Sequence, residues 1–251
     1  AVRLVRSSPL LSAVVHWMVL AGKGLALHDP RLVIVEGDIG DSSALRNAFS
    51  GADGVFHFAA LWLRHCYEHP REGFDVNVAG MFNVLEACRD AEVGRLVFSS
   101  SASVYGDALE KPMSETHPFN NTTFYGASKI AGEVMAKAFH HRYGLGYVGL
   151  RYFNVYGPRQ SLANFYQGVV TNFMANIIQE QPIIIHSDGE QTRDFIYVED
   201  VVNAWVKALD SPRTHGQVFN LGSGEGITIN RLADITLASF DKNRDSHTIL
   251  Y

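Results

Sequence analysis

Tyr125 and Lys129 stand four residues apart in the run Tyr-Gly-Ala-Ser-Lys. On a helix that spacing puts the phenol and the ammonium on one face. A free tyrosine ionises near pH 10, too high for an efficient base at neutral pH. A neighbouring ammonium favours the phenolate and is expected to lower that value. The same lysine could hold a sugar hydroxyl of a cofactor. The spacing alone is common, so its weight comes from what surrounds it. Ser99-Ser100-Ser101 closes the apolar run Leu96-Val97-Phe98. A hydroxyl there can hydrogen-bond a substrate oxygen that gains or loses a proton. Serine at a strand end is also a common turn residue or cap.

The elements needed to position these groups follow from hydrophobic patterning. Leu32-Val33-Ile34-Val35, Gly54 to Phe58, Arg95 to Phe98 and Tyr147 to Leu150 read as strands that are apolar throughout. Between them, Ala44-Leu45 and Ala48-Phe49 have helical spacing behind a cap at Asp41 or Ser42, and Gly51 stops the helix. Pro70 begins a helix whose face is expected to carry Phe74, Val78, Phe82 and Leu85. Tyr125 to Tyr143 reads as a helix stopped by Gly144. Apolar strands alternating with helices predict an α/β fold, a Rossmann-type doubly wound parallel sheet. After Pro158 the pattern loosens: Ile183-Ile184-Ile185 and Val218 to Leu221 read as short strands, with helices near Val198 to Leu209 and Ile229 to Ser239. This divides the chain into a dinucleotide-binding domain over 1–157 and a smaller C-terminal substrate-binding lobe over 158–251.

Composition narrows the function classes. Of the 251 residues, 47% are hydrophobic and 19% charged, which fits a globular chain and excludes a disordered one. A formal charge of −5 with no Lys/Arg cluster argues against nucleic acid or an anionic membrane as partner. Leu10 to Ala21 is apolar but too short to span a bilayer; it reads as a buried helix or loop. Cys66 and Cys88 read as free buried thiols of a reducing, cytoplasmic compartment. The histidines show no metal-ligand spacing, His57 reads as a core histidine, and no Gly-x-Ser-x-Gly elbow is present.

Eight segments then occur in one order: Gly37-Asp38-Ile39, Phe56 to Ala60, Asp75 to Val78, Ser99 to Gly106, Phe124 to Lys129, Arg151 to Pro158, Gln191 to Val198 and Phe219 to Gly222. From about Arg31 to Ser239 the chain resembles the extended short-chain dehydrogenase/reductase superfamily, in its NAD-dependent nucleotide-sugar epimerase/dehydratase group. The resemblance implies that Ser101, Tyr125 and Lys129 are catalytic. It implies that Asp38, Ile39, Phe58, Ala59, Ala60, Asn77 and Phe153 line the cofactor beside Tyr125 and Lys129. Ser101 and Ser103 are implied near the sugar, and Asn154 and Arg193 at the nucleotide diphosphate, which a guanidinium can grip bidentately. Asp38 could instead cap the next helix, Asn77 satisfy buried backbone, Asn154 belong to a turn, and Arg193 pair with Asp194 or Glu199.

Dehydratases of the group place acidic residues just after the strand-end hydroxyl. Here Ser101-Ala102-Ser103 is followed by no Asp or Glu before Asp107. That departure favours a 4-epimerase on a UDP-hexose over a dehydratase; a reductase also lacks the acidic pair. NAD is the expected cofactor. Ala1 to Ser7 reads as the family's second strand, with Arg6 in place of its acidic residue, a feature that would suit NADP. No Gly-x-x-Gly-x-x-Gly turn stands before Gly37, Gly22-Lys23-Gly24 being too short, and the last substrate-binding segment is expected to be incomplete. A non-catalytic nucleotide-binding homologue is the alternative from another class. By analogy with the fold a homodimer forms through the helices starting near Pro70 and Tyr125.

Overall fold

The structure is a computed structural model that describes residues 2–6, 32–160 and 168–251. The Leu10 to Ala21 run and Gly22-Lys23-Gly24 lie outside the described residues. Strand β1 (Val2–Arg6) pairs in parallel with β2 (Leu32–Glu36). Helix α1 (Ser42–Phe49) follows, capped by Asp41, whose carboxylate accepts from Ser43 N at 2.9 Å and Ala44 N at 3.0 Å. Then come β3 (Gly54–His57), α2 (Leu63–Glu68), α3 (Pro70–Phe74), α4 (Gly80–Asp90) and β4 (Arg95–Ser101). Helix α5 (Phe124–Tyr143) ends at Gly144, whose φ of 74° is the left-handed conformation that glycine adopts without penalty. Strand β5 (Gly146–Tyr152) closes this stretch.

The remaining elements are β6 (Asn154–Tyr156), α6 (Val169–Ile178), β7 (Ile183–Ile184), β8 (Thr192–Tyr197), α7 (Val198–Asp210), β9 (Gln217–Leu221), β10 (Gly226–Thr228), α8 (Ile229–Ala238) and β11 (Ile249–Leu250). Strands β3, β4, β5 and β9 form an all-parallel sheet in that order. On it α1, α4 and α5 bury Leu45, Phe49, Met81, Leu85, Cys88 and Phe139 against Leu96, Phe98 and Tyr147. Apolar burial of this kind contributes about 25 cal/mol per Å². The parallel α/β architecture read from the sequence is present.

Two expectations change. The compact units do not divide near 157: one comprises 1–152 with 201–221, the other 153–200 with 222–251. The cause is β9, which the sequence places in the second lobe but which pairs with β5 from Val148↔Gln217 to Tyr152↔Leu221. Helix α7 supplies the long crossover that a parallel neighbour requires. The second unit has its own core of Phe173, Ile177, Ile183, Ile185, Leu232 and Leu237. Its strands run β10-β8-β6 and β11-β7.

The other change lies between α3 and α4. A π-helical turn, Asp75–Ala79, joins them, and its wider winding shifts the phase of everything beyond it. Phe82 is therefore exposed, as is Phe74 before the turn, while Met81, Val84, Leu85 and Cys88 form the buried face.

Candidate active site

Ser101 is the last residue of β4 and the cap of the short turn Ala102–Val104. Its hydroxyl accepts from Ser103 N and donates to Ser103 Oγ, both at 3.1 Å. Helix α5 starts behind Thr123, whose side chain accepts from Gly126 N at 3.0 Å. Gly126 is needed for closeness: a Cβ there would collide with Asn121 Oδ1 and lie 2.5 Å from the Ser103 carbonyl oxygen. A second glycine, Gly132, lets α5 lie on the Phe98 ring, 2.6 Å from where its Cβ would be. The helix thus seats its first turn against the end of β4 and brings Tyr125 within hydrogen-bonding reach of Ser101.

Lys129 is one turn further along and 3% exposed. Its Nζ donates to the Ser99 carbonyl at 2.7 Å and lies 5.5 Å from the centre of the Tyr125 ring and 5.2 Å from that of Phe98. Burial lowers its pKa to about 8, and the charges of Cys66 and Glu133 act the other way. Tyr125 goes against the sequence expectation. Burial pushes its phenol up to about 12, and the Ser101 hydrogen bond offsets this only in part. Desolvation of the phenolate outweighs the ammonium, which is turned toward Ser99. His57, stacked on Phe98 at 5.7 Å, is held neutral: burial and the Lys129 charge lower it to about 3.

Phe58, Ala59 and Ala60 follow β3 and are all half-buried. Phe58 stacks on Trp205 of α7 with ring centres 3.9 Å apart, and Tyr152 lies 6.2 Å from the same indole. The Tyr152 hydroxyl is buried between Ser99 and the Trp205 indole, and burial pushes its pKa well above the ordinary tyrosine value. Asn77 sits in the π-turn, and its amide is fully engaged. Oδ1 accepts from Leu61 N at 2.7 Å, and Nδ2 reaches Leu61 O at 3.0 Å and Ser128 Oγ at 3.1 Å. It therefore holds the segment after β3 against α5. Ile39 is buried against Gly80, so its side chain belongs to the core. Asp38 is exposed and accepts from Gly40 N at 2.6 Å, leaving the helix cap to Asp41.

Phe153, Asn154 and Arg193 belong to the second unit. Asn154 Nδ2 donates to the Asp194 carbonyl at 2.7 Å. Arg193 is exposed on β8, its guanidinium donating to the Thr192 carbonyl at 2.8 Å. Next to it the Asp194 carboxylate accepts from Ser223 N and Oγ, each at 2.7 Å, and from Gly224 N at 3.0 Å.

Sequence reasoning missed the groups behind the candidate pair Tyr125 and Lys129: Glu133, Arg151, Tyr105, Trp205 and Tyr152. For Glu133 a signal existed, since it continues the four-residue spacing of Tyr125 and Lys129. The aromatic pair carried none. Among the described residues no three His, Cys, Asp or Glu side chains gather as for a metal, and no helix is long and apolar enough to cross a membrane.

A family model described as the NAD dependent epimerase/dehydratase family matches residues 11–222. A Methanocaldococcus jannaschii protein named "Putative UDP-glucose 4-epimerase" is 38% identical over 210 residues, 82% of this chain and 68% of its own length. UDP-glucuronate 4-epimerase 1 of Arabidopsis thaliana is 34% identical over 226 residues, 81% of this chain; this chain spans 51% of the plant enzyme. Among solved structures, UDP-N-acetylglucosamine 4-epimerase from Methanobrevibacter ruminantium, in complex with UDP-N-acetylmuramic acid, superimposes with a TM-score of 0.89 at 30% identity, covering 98% of this chain and 84% of that one. The Thermus thermophilus UDP-glucose 4-epimerase complex with NAD gives 0.83 at 29% identity, covering 99% and 86%.

Proposed function

The chain belongs to the NAD dependent epimerase/dehydratase family, and on that premise we propose that it is a nucleotide-sugar 4-epimerase acting on a UDP-hexose. The observation that carries this reading is the convergence of Ser101, Tyr125 and Lys129 at the end of β4, with no carboxylate in the chain between Ser101 and Asp107. The residues fit the cofactor. Lys129 gives one N–H to Ser99 and keeps two for ribose hydroxyls. Phe58, stacked on Trp205, and the adjoining Ala59 and Ala60 offer an apolar strand end at which a dinucleotide can lie. Asp38, the Ile39 backbone and Phe153 complete the set; Asn77 supports it from behind.

When bound, NAD supplies a reversible hydride acceptor for C4 of the sugar. Tyr125 takes the proton of the 4-hydroxyl and later returns it to the same oxygen, while the configuration at C4 inverts because the hydride would come back to the other face of that carbon. At rest the phenol is protonated, so the step depends on the Lys129 ammonium and the Ser101 hydrogen bond to stabilise the phenolate. Ser101, backed by Ser103, donates to the sugar oxygen as its charge changes. Asn154 and Arg193 hold the diphosphate, Arg193 through the guanidinium N–H groups not given to Thr192. Because the redox change cancels, cofactor is expected to co-purify.

The test is product analysis with UDP-glucose, UDP-N-acetylglucosamine and UDP-glucuronate. The expected product is the 4-epimer at unchanged mass, with Tyr125→Phe slower by about 10³-fold. Loss of one water from the sugar, or net consumption of NAD(P)H, would overturn the assignment in favour of a dehydratase or reductase. Two further parts of the reading concern assembly and place. Phe82 (43% exposed) packs edge-on against Phe139, and Val134 (56% exposed) lies on the same α5. That apolar exposure supports a homodimer through α4 and α5. The free buried thiols of Cys66 and Cys88 suit the cytoplasm.

A further inference from the structure

Glu133 lies on the face of α5 that carries Tyr125 and Lys129, four residues beyond the lysine. Its carboxylate accepts from Ser100 Oγ on β4 and is held bidentately by Arg151 on β5, Nε to Oε1 at 2.9 Å and Nη2 to Oε2 at 2.6 Å. Ser100 and Arg151 are direct partners in the sheet, one residue before the Ser101–Tyr152 pair. One carboxylate thus ties the helix to two strands at the level of the catalytic serine. Arg151 Nη1 continues to Tyr105 Oη at 2.7 Å and to the Glu115 carbonyl at 3.0 Å. Tyr105 in turn donates to Asn220 Oδ1 on β9 at 2.6 Å. Glu133, Arg151 and Ser100 are each at most 5% exposed.

Burying an ion pair this deeply is a poor route to stability, since apolar residues of equal volume do as well or better. What the charges do is set by their neighbour. Lys129 is faced by Cys66 from α2, by His57 from β3, and by the Phe98 ring and Ser99 carbonyl from β4. Its own helix presents Tyr125 and Glu133, and β5 presents Arg151 and Tyr147 behind Glu133. From the π-turn Asn77 reaches Ser128, while Asp75 points outward to Arg71 at 3.5 Å. Among these groups facing Lys129, Glu133 carries the negative charge at neutral pH, since burial pushes the Cys66 thiol up and keeps it protonated there. We infer that Glu133, balanced by Arg151, is a positioning residue that seats Lys129 under Tyr125 and keeps it an ammonium. This rests on the reading of Tyr125 and Lys129 as the catalytic pair.

Burial favours the guanidinium's neutral form, yet the Glu133 bonds more than offset that and hold Arg151 charged. Each member of the pair therefore screens the other from Lys129, and removing either one exposes a bare charge of known sign. The experiment follows the Lys129 titration in the full chain by lysine-selective carbon NMR, with its signal identified by loss in Lys129→Met. In Glu133→Gln the titration is expected to fall by about one pH unit, because an anion is gone and Arg151 is unmasked. In Arg151→Met it is expected to rise by about as much, and the double variant to return near wild type. The alkaline limb of the kcat profile moves with the same signs. Shifts of one sign in both single variants, or none in either, overturn the inference.

Should a neutralising variant not fold, Arg151→Lys keeps the charge but not the bidentate grip. It is expected to lower kcat several-fold at unchanged KM without moving the Lys129 titration; wild-type kcat overturns the positioning role. If the titrations split as expected in a chain that epimerises no nucleotide sugar, the control of Lys129 stands and the epimerase reading falls.

Discussion

The polar clusters of the two units are built on opposite principles. In the first unit Ser101, Tyr125, Lys129 and Glu133 are packed among apolar side chains, and the pKa values of Tyr125 and Lys129 are displaced by burial. In the second unit Arg193 is exposed, and Asp194 beside it is tied to the backbone of Ser223 and Gly224. Groups that exchange protons need a dry setting in which a small displacement changes their charge. A group that grips a diphosphate needs its donors open and its charge permanent. Substitutions in the first cluster should therefore change turnover and stability together, whereas those in the second should change substrate affinity alone.

The sharpest way to break this contrast is Lys129→Met. Turnover is expected to fall by about 10²-fold or more, yet the folded state should gain stability. The sign follows from linkage: the folded pKa of about 8 lies below the ordinary lysine value of 10.5, so the cost of the buried ammonium is in force below pH 8 and fades as pH rises toward 10.5. A neutral, apolar replacement removes that cost at pH 7, on the order of 2 kcal/mol, visible as a higher Tm. A lower Tm would show that the bond to Ser99 matters more than desolvation. Next in size is Gly126→Ala. Its methyl collides with Asn121 and the Ser103 backbone, so the first turn of α5 must withdraw from β4. Turnover should drop at least tenfold with KM little changed, read from steady-state kinetics.

Arg193→Lys tests the other cluster. It keeps the charge but loses the fork, and is expected to raise KM about tenfold while leaving kcat and Tm unaltered. A fall in kcat instead would mean that the exposed residue takes part in more than binding. The last test concerns His57 and is read in stability at acid pH. Its folded pKa of about 3 lies below the ordinary histidine value of 6.5, so its contribution is complete above pH 6.5 and is lost as pH falls toward 3. His57→Phe should flatten the acid side of the stability profile in urea titrations across that window.

What could be read from the sequence divides along the same line. Elements with a strong period or a strong stop were legible: α1 behind Asp41, α5 up to Gly144, and the apolar strands β3 to β5. Motif order singled out Ser101, Tyr125 and Lys129 as the candidate trio, and the structure brings their side chains together. The partner of β5 was not, because Val218-Phe219-Asn220-Leu221 fits any sheet and only tertiary pairing assigns it to the first. Nor was the face of α4, because the π-turn rotates it and has no single-residue signature. The direction of the Tyr125 pKa was misjudged since the i+4 spacing reveals the ammonium but not the packing around the phenol. Asn77 turned out to serve Leu61 and Ser128 across the fold, contacts that no local pattern encodes.

The interleaving of the two units also governs how the chain can be made. During synthesis β5 emerges with one edge bare, and its lasting neighbour is not translated until Gln217 to Leu221 follows, after most of the second unit. Throughout that interval the edge of a buried, apolar strand is open to pairing with other nascent chains. The first unit thus waits on the ribosome in a sticky, unfinished state. Slow elongation or a stall between residues 153 and 216 is where aggregation should claim this protein, and where a chaperone would have the most to protect.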